Sequence, residues 1–96
     1  MWASLAKECA SLTSSEPDEI ANMANVASLL FFALNEKKGN AINWLGFYRC
    51  IEAETLVLGP FQGKVACIRI PFGQGVCGTA ASTMTTQVAL LGSVCQ

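Results

Sequence analysis

The longest amphipathic stretch lies in the first half of the chain and predicts a helix from about Pro17 to Lys37. Ser15 offers an N-cap oxygen, Pro17 suits the first helical turn, and Gly39 suits the helix end. The apolar stripe is most simply explained as packing against a sheet, with a partner-helix interface as the alternative. Its residues recur at helical spacing: Ile20, Met23, Ala24, Ala27, Leu30, Phe31 and Leu34.

The region after this helix alternates in the way that strands do and predicts an antiparallel hairpin. Its first strand is Ile42 to Cys50 and its second is Thr55 to Gly59, with a polar turn between them. Trp44, Gly46 and Tyr48 share one face of the first strand. The two aromatic residues are usually core residues. Gly46 leaves room for something to lie across that face, so a ligand-facing role stays open.

A glycine-rich stretch follows the hairpin and frames two cysteines, Cys67 and Cys77. Val65 to Ile70 predicts a third strand, which Pro71 should end because proline cannot donate to a ladder. Cys77 then sits where a tight turn leads into a helix from Gly78 to about Thr83. Backbone N–H groups at such a position favour a thiolate. The alternative, small buried hydrophobic cysteines, is the commoner fate of free cysteine, and the pattern alone favours it.

Composition narrows the function classes. Ninety-six residues with 52% hydrophobic content and a mean hydropathy of +0.41 predict one globular domain, 1–96. A net charge of −1 with no basic cluster argues against nucleic acid and anionic membranes as partners. The absence of histidine excludes histidine ligation, and five cysteines without a C-x-x-C pair argue against zinc or a disulfide frame. The charged amino terminus and the lack of a membrane-length apolar run indicate a cytoplasmic protein.

Three segments together resemble a known family: NWLGFY from Asn43, LVLGPFQGKVAC from Leu56, and IPFGQGVCGTA from Ile70. They look like the free methionine-(R)-sulfoxide reductases, which are single GAF-domain enzymes. The resemblance covers roughly Pro17 to Gln87. It implies an α+β fold, with a GAF-like antiparallel sheet flanked by helices and incomplete at the C-terminus.

The same resemblance implies an oxidoreductase that reduces free methionine-(R)-sulfoxide without a metal or other cofactor. A cysteine attacks the sulfoxide sulfur and becomes a sulfenic acid, a second cysteine forms a disulfide with it, and thioredoxin resets the pair. Cys77 corresponds to the cysteine that forms this disulfide, and Cys67 to the auxiliary cysteine in recycling. Trp44 and Tyr48 correspond to the aromatic wall around the substrate's methyl group. A homodimer is compatible with this interpretation.

The chain departs from the family after Gln87. The family continues into a loop with a third cysteine, usually taken as the attacking one, and then acidic residues that bind the substrate's amino group. Here a divergent tail, 88–96, follows instead; Cys95 does not match the third cysteine, and no acidic residue follows Glu54. We therefore expect a family member shortened at its carboxyl end with little or no turnover. The alternatives are a non-catalytic GAF module for small-molecule binding or dimerisation, and a chain that cannot fold alone.

Overall fold

The computed structural model describes residues 1–39 and 42–89, which form an α+β arrangement. Its elements are α1 (Trp2–Thr13), α2 (Glu19–Lys38), β1 (Trp44–Glu52), β2 (Thr55–Gly63), β3 (Arg69–Pro71) and α3 (Gly75–Thr83). The strands form one antiparallel sheet in the order β1-β2-β3. This confirms the predicted fold class.

Contacts group the residues into two compact units. The first comprises Met1–Phe47 and Gly59–Lys64, and the second comprises Tyr48–Leu58 and the described part of Val65–Gln96. Within the first unit α1 packs against α2, and the buried side chains there are Leu5, Ala27 and Leu34. Trp2, which helical spacing predicts on the same face as Leu5, is 65% exposed. The second unit buries Leu56 and Val57 of β2.

Helix α2 begins two residues later than predicted, and its N-cap is Asp18 rather than Ser15. The Asp18 carboxylate accepts a 2.8 Å hydrogen bond from the backbone N–H of Ala21, and the Glu16 carboxylate accepts one from Asp18 N–H. Because Asp18 supplies the cap, the first helical residue is Glu19, and Pro17 lies outside the helix. The predicted end is confirmed, because Gly39 adopts left-handed geometry (φ 65°) and its N–H bonds to Asn35 O.

The hairpin turn is tighter than the alternation indicates, because β1 is shifted by two residues at its predicted length of nine, and β2 is longer than predicted. Only Ala53 and Glu54 separate β1 from β2, and Glu54 has a φ of 49°. The predicted third strand is wrong over 65–68, which is not strand, and Val65 is 94% exposed. Strand β3 pairs with β2 at Thr55–Val57, and the ladder ends where Leu58 N–H bonds to Ile68 O at 2.8 Å. In that register the next donor on β2 is Pro60, which has no N–H, so the ladder cannot continue.

Helix α3 packs on β3 and begins at Gly75, three residues earlier than predicted. Its close approach depends on Gly78, which is buried. A Cβ there would lie 2.5 Å from Pro71 O and 3.3 Å from Gly73 N. In the predicted tail, Val88 and Ala89 are irregular, and the rest of the tail lies outside the described residues. None of the described helices has the length and apolar character needed to cross a membrane.

Candidate functional site

Tyr48 interacts with Cys67 and is influenced electrostatically by Cys77, the two cysteines that the sequence singles out. Its hydroxyl donates a 2.8 Å hydrogen bond to the carbonyl oxygen of Cys67. The negative charge available to Cys77 is one of the two causes that raise the pKa of this hydroxyl. Tyr48 projects from β1, Cys67 lies in the irregular segment before β3, and Cys77 lies in the first turn of α3. Three of the four predicted site residues therefore belong to the second unit, where Tyr48 contacts the Cys67 backbone and is influenced electrostatically by Cys77.

The two cysteines are in different chemical states. Cys77 is a free thiol and is exposed, whereas Cys67 is disulfide-bonded. Cys9 and Cys50 are also free thiols; Cys9 is half-buried and Cys50 is exposed. Cys67 and Cys77 are thus not bonded to each other in this structure. Cys77 occupies the third position of α3, where backbone N–H groups lack helical acceptors, as its predicted place at a helix start requires. Cys95 lies outside the described residues.

The environment of Tyr48 favours its protonated form. Burial raises the pKa of the Tyr48 hydroxyl above its usual value of 10.0, and the negative charge available to Cys77 raises that pKa further. The hydroxyl therefore remains a hydrogen-bond donor throughout the neutral pH range. This keeps the bond to Cys67 O intact wherever thiol chemistry takes place.

Trp44, the fourth predicted site residue, belongs to the first unit and is fixed there by several contacts. Its ring stacks on Phe61, with centroids 5.4 Å apart and planes at 16°, and its Nε1–H donates to Lys64 O at 3.1 Å. Gly46 is predicted to leave room for something to lie across that face, and Phe61 and the Trp44 ring occupy the space over it. A side chain at Gly46 would collide with Phe61 Cβ and lie 2.9 Å from Trp44 Cη2.

Two features of the structure were not predicted from the pattern. One is Phe61 beneath Trp44; the glycines that flank the aromatic pair are the only sequence signal for it. The other is Arg49 on β1, whose Nε is buried and has no hydrogen-bond partner in the part of the chain that the structure describes. Sequence periodicity does not reveal a missing partner of this kind.

The described residues, 1–39 and 42–89, contain no group of three or more cysteine, aspartate or glutamate side chains suited to a metal ion. An open depression of about 590 Å³ lies beside the start of α3. Its walls are Gln74–Val76, Thr79 and Gln87–Ala89, and Cys77 is not among them.

The amino-acid sequence is similar to those of several known proteins, although no family model matches the chain. Protein ZMO0507 of Zymomonas mobilis is 51% identical over 83 residues, which cover 86% of this chain and 48% of that protein. The free methionine-R-sulfoxide reductase of Escherichia coli is 46% identical over 86 residues, which cover 90% of this chain and 48% of that protein.

Solved structures agree. A protein named as a GAF sensor from Burkholderia vietnamiensis has a TM-score of 0.81 at 51% identity, covering 90% of this chain and 51% of that one. The fRMsr of Staphylococcus aureus, solved in complex with its substrate, has a TM-score of 0.73 at 44% identity, covering 86% of this chain and 50% of that one. The chain spans about half the length of the curated relatives it matches. It is therefore a homologue of the free methionine-R-sulfoxide reductases, with their GAF fold, over about half of their length.

Proposed function

We propose that the chain forms the cysteine-bearing part of a GAF domain that reduces free methionine-R-sulfoxide. The observation that carries this proposal is that Cys77 is free and exposed in the first turn of a helix, in the same unit as the hydrogen-bonded Tyr48 and Cys67. The relatives named for this activity give the substrate class. Residues 1–96 then belong to one GAF domain, of which 88–96 is a divergent tail.

Cys77 is the nucleophile in this proposal, and the atoms balance without a cofactor. Its sulfur attacks the sulfoxide sulfur and takes the oxygen atom, which leaves a sulfenic acid on Cys77 and releases methionine. The cysteine sulfur is oxidised by two electrons and the sulfoxide sulfur is reduced by two. A second thiol, for which Cys67 in its reduced form is the candidate, forms a disulfide with Cys77 and releases water. A dithiol protein of the thioredoxin type then returns both thiols.

The aromatic contacts of Trp44 and Tyr48 to the substrate's methyl group stay a prediction from the family resemblance. The exposed location of Cys77 gives both the sulfoxide and the dithiol protein access to it. Because this cycle depends on reduced thiols, we propose the cytoplasm as its location. A homodimer stays a prediction.

The lack of carboxylates after Glu54 is the reason to expect slow turnover by these 96 residues. No acidic residue follows Glu54, and a substrate ammonium bound without a counter-charge loses hydration that nothing replaces. We therefore expect the 96-residue polypeptide to form methionine slowly. The same observation favours the second candidate, a GAF module that binds a small molecule without turnover.

A coupled assay separates the two candidates. Methionine formation from the R-sulfoxide is followed with thioredoxin, thioredoxin reductase and NADPH, using Cys77→Ser and the matched control Cys50→Ser, which replaces another exposed free thiol. Slow formation that only Cys77→Ser abolishes supports the reductase. Robust turnover by the unmodified chain contradicts the argument from the missing carboxylates. No formation, together with reversible binding of the sulfoxide, supports the non-catalytic module.

A further inference from the structure

The Trp44 indole is restrained at each end and on one face by residues of the first unit. A Cβ at Gly46 would lie 2.9 Å from Cη2, at the benzo end of the ring system. A Cβ at Gly63 would lie 2.8 Å from Cδ1, at the pyrrole end, and Gly63 has a φ of 131°. Phe61 covers one face by stacking, and Lys64 O accepts the ring N–H. The indole therefore lies in a slot that only glycine at both ends leaves open.

We propose that Phe61 is a positioning residue that sets the plane of the Trp44 indole. Of the contacts described, only the Phe61 stack fixes the tilt of the ring, because the Lys64 hydrogen bond still allows rotation about the N–H direction. Gly46 is the position that lets Phe61 and the indole approach each other from β2 and β1. The inference rests on the proposed function in one respect, namely that Trp44 contacts the substrate.

Restraint of the Trp44 indole should strengthen the binding of the sulfoxide. An indole held at a fixed angle presents the same surface to every bound molecule, whereas a freely tilting one must be ordered at each binding event. Removal of Phe61 should therefore weaken sulfoxide binding while Trp44 itself remains in place. The loss expected from one stacked ring pair corresponds to about a two- to tenfold weaker affinity.

Spectroscopy of Trp44 tests the positioning role without any activity. In a Trp2→Phe background Trp44 is the sole tryptophan of the chain, so the long-wavelength edge of the near-ultraviolet circular dichroism, beyond the tyrosine and phenylalanine bands, reports the indole. Phe61→Leu should reduce that signal, whereas Phe61→Tyr, which preserves the stack, should retain it. Phe32→Leu is the matched control, because Phe32 is 55% exposed on α2. Far-ultraviolet spectra identify any variant that fails to fold. If Phe61→Leu does not fold, Phe61→Tyr tests the proposal instead: a retained indole signal supports the positioning role, and a lost signal in a folded variant contradicts it. An unchanged indole signal in folded Phe61→Leu overturns the proposal.

A titration with free methionine-R-sulfoxide tests the link to function. The fluorescence of Trp44 should respond to the R-sulfoxide more than to the S-sulfoxide, and Phe61→Leu should shift the midpoint two- to tenfold upward. Equal midpoints in Phe61→Leu and Phe32→Leu contradict the positioning role. If the unmodified indole responds to neither sulfoxide, the proposed substrate contact fails, and the circular dichroism comparison alone supports or overturns the role of Phe61.

Discussion

Replacement of Gly78 by alanine should destabilise the chain, although alanine is the better helix former. The new Cβ would lie 2.5 Å from Pro71 O, a distance that real contacts do not show. To reach 3.0 Å, α3 and the end of β3 must separate by about 0.5 Å. The same movement stretches the 2.8 Å hydrogen bond from Gly73 N–H to Gly78 O. Both obstacles are backbone atoms, so no side-chain rotation relieves them.

The magnitude follows from two opposing effects. Overpacking at a tight site costs about 1–3 kcal/mol. Alanine in place of glycine inside a helix returns about 0.8–1 kcal/mol. The difference is about 0–2 kcal/mol, and we expect its upper part, about 0.5–2 kcal/mol, because both obstacles are backbone atoms. Such a loss is a large fraction of the margin of a small domain. Because Cys77 precedes Gly78, the displacement also changes the position of the thiol relative to Tyr48.

Urea unfolding followed by circular dichroism measures this effect. With a slope of about 1 kcal/mol/M, the midpoint for Gly78→Ala should fall by about 0.5–2 M. Ser82→Ala is the control, because Ser82 is exposed on the same helix and the change meets no backbone obstacle. Its midpoint should stay unchanged or rise slightly. If Gly78→Ala equals or exceeds the stability of the unmodified chain, the close approach of α3 to β3 is refuted.

Three further predictions concern a pKa, a helix cap and an ion pair. Tyr48 is the sole tyrosine in the sequence, so absorbance at 295 nm should show its pKa above 10.0, and Cys77→Ser should lower it; a value at or below 10.0 contradicts the site. Since the folded state holds this proton more tightly, stability should fall as the pH rises above about 10. Asp18→Ala should cost about 0.5–2 kcal/mol in urea unfolding, and an unchanged midpoint rejects the cap. Arg69→Ala should cost about 0.2–1 kcal/mol, because its 3.1 Å pair with Glu52 is exposed; a loss above 2 kcal/mol would be unexpected.

The helices and the hairpin follow from the sequence because local chemistry determines them. The stripe before Gly39 requires a long helix, and left-handed geometry at Gly39 ends it. Strand alternation and a short polar turn likewise define β1 and β2. The boundaries depend on competition between neighbouring candidates, as when the Asp18 carboxylate rather than the Ser15 hydroxyl caps α2.

The extent of the third strand depends on its partner rather than on its own residues. Val65 and Ile70 have equal strand propensity, but Pro60 on β2 ends the ladder between them. Similarly, Gly46 alone suggests free space, and only the distant Phe61 shows what fills it. Non-local contacts of this kind cannot be obtained from periodicity.

The oxidation state of Cys77 after a single exposure to substrate tests the central claim most directly. Fully reduced protein is mixed with excess free methionine-R-sulfoxide in the absence of a dithiol, and peptide mass spectrometry then follows each cysteine. The proposed function predicts oxidation of Cys77 with release of an equal amount of methionine, selectively for the R-sulfoxide, and unchanged by Cys50→Ser. Reduced Cys77 beside released methionine, or equal oxidation of Cys77 and Cys50 by either sulfoxide, would contradict it.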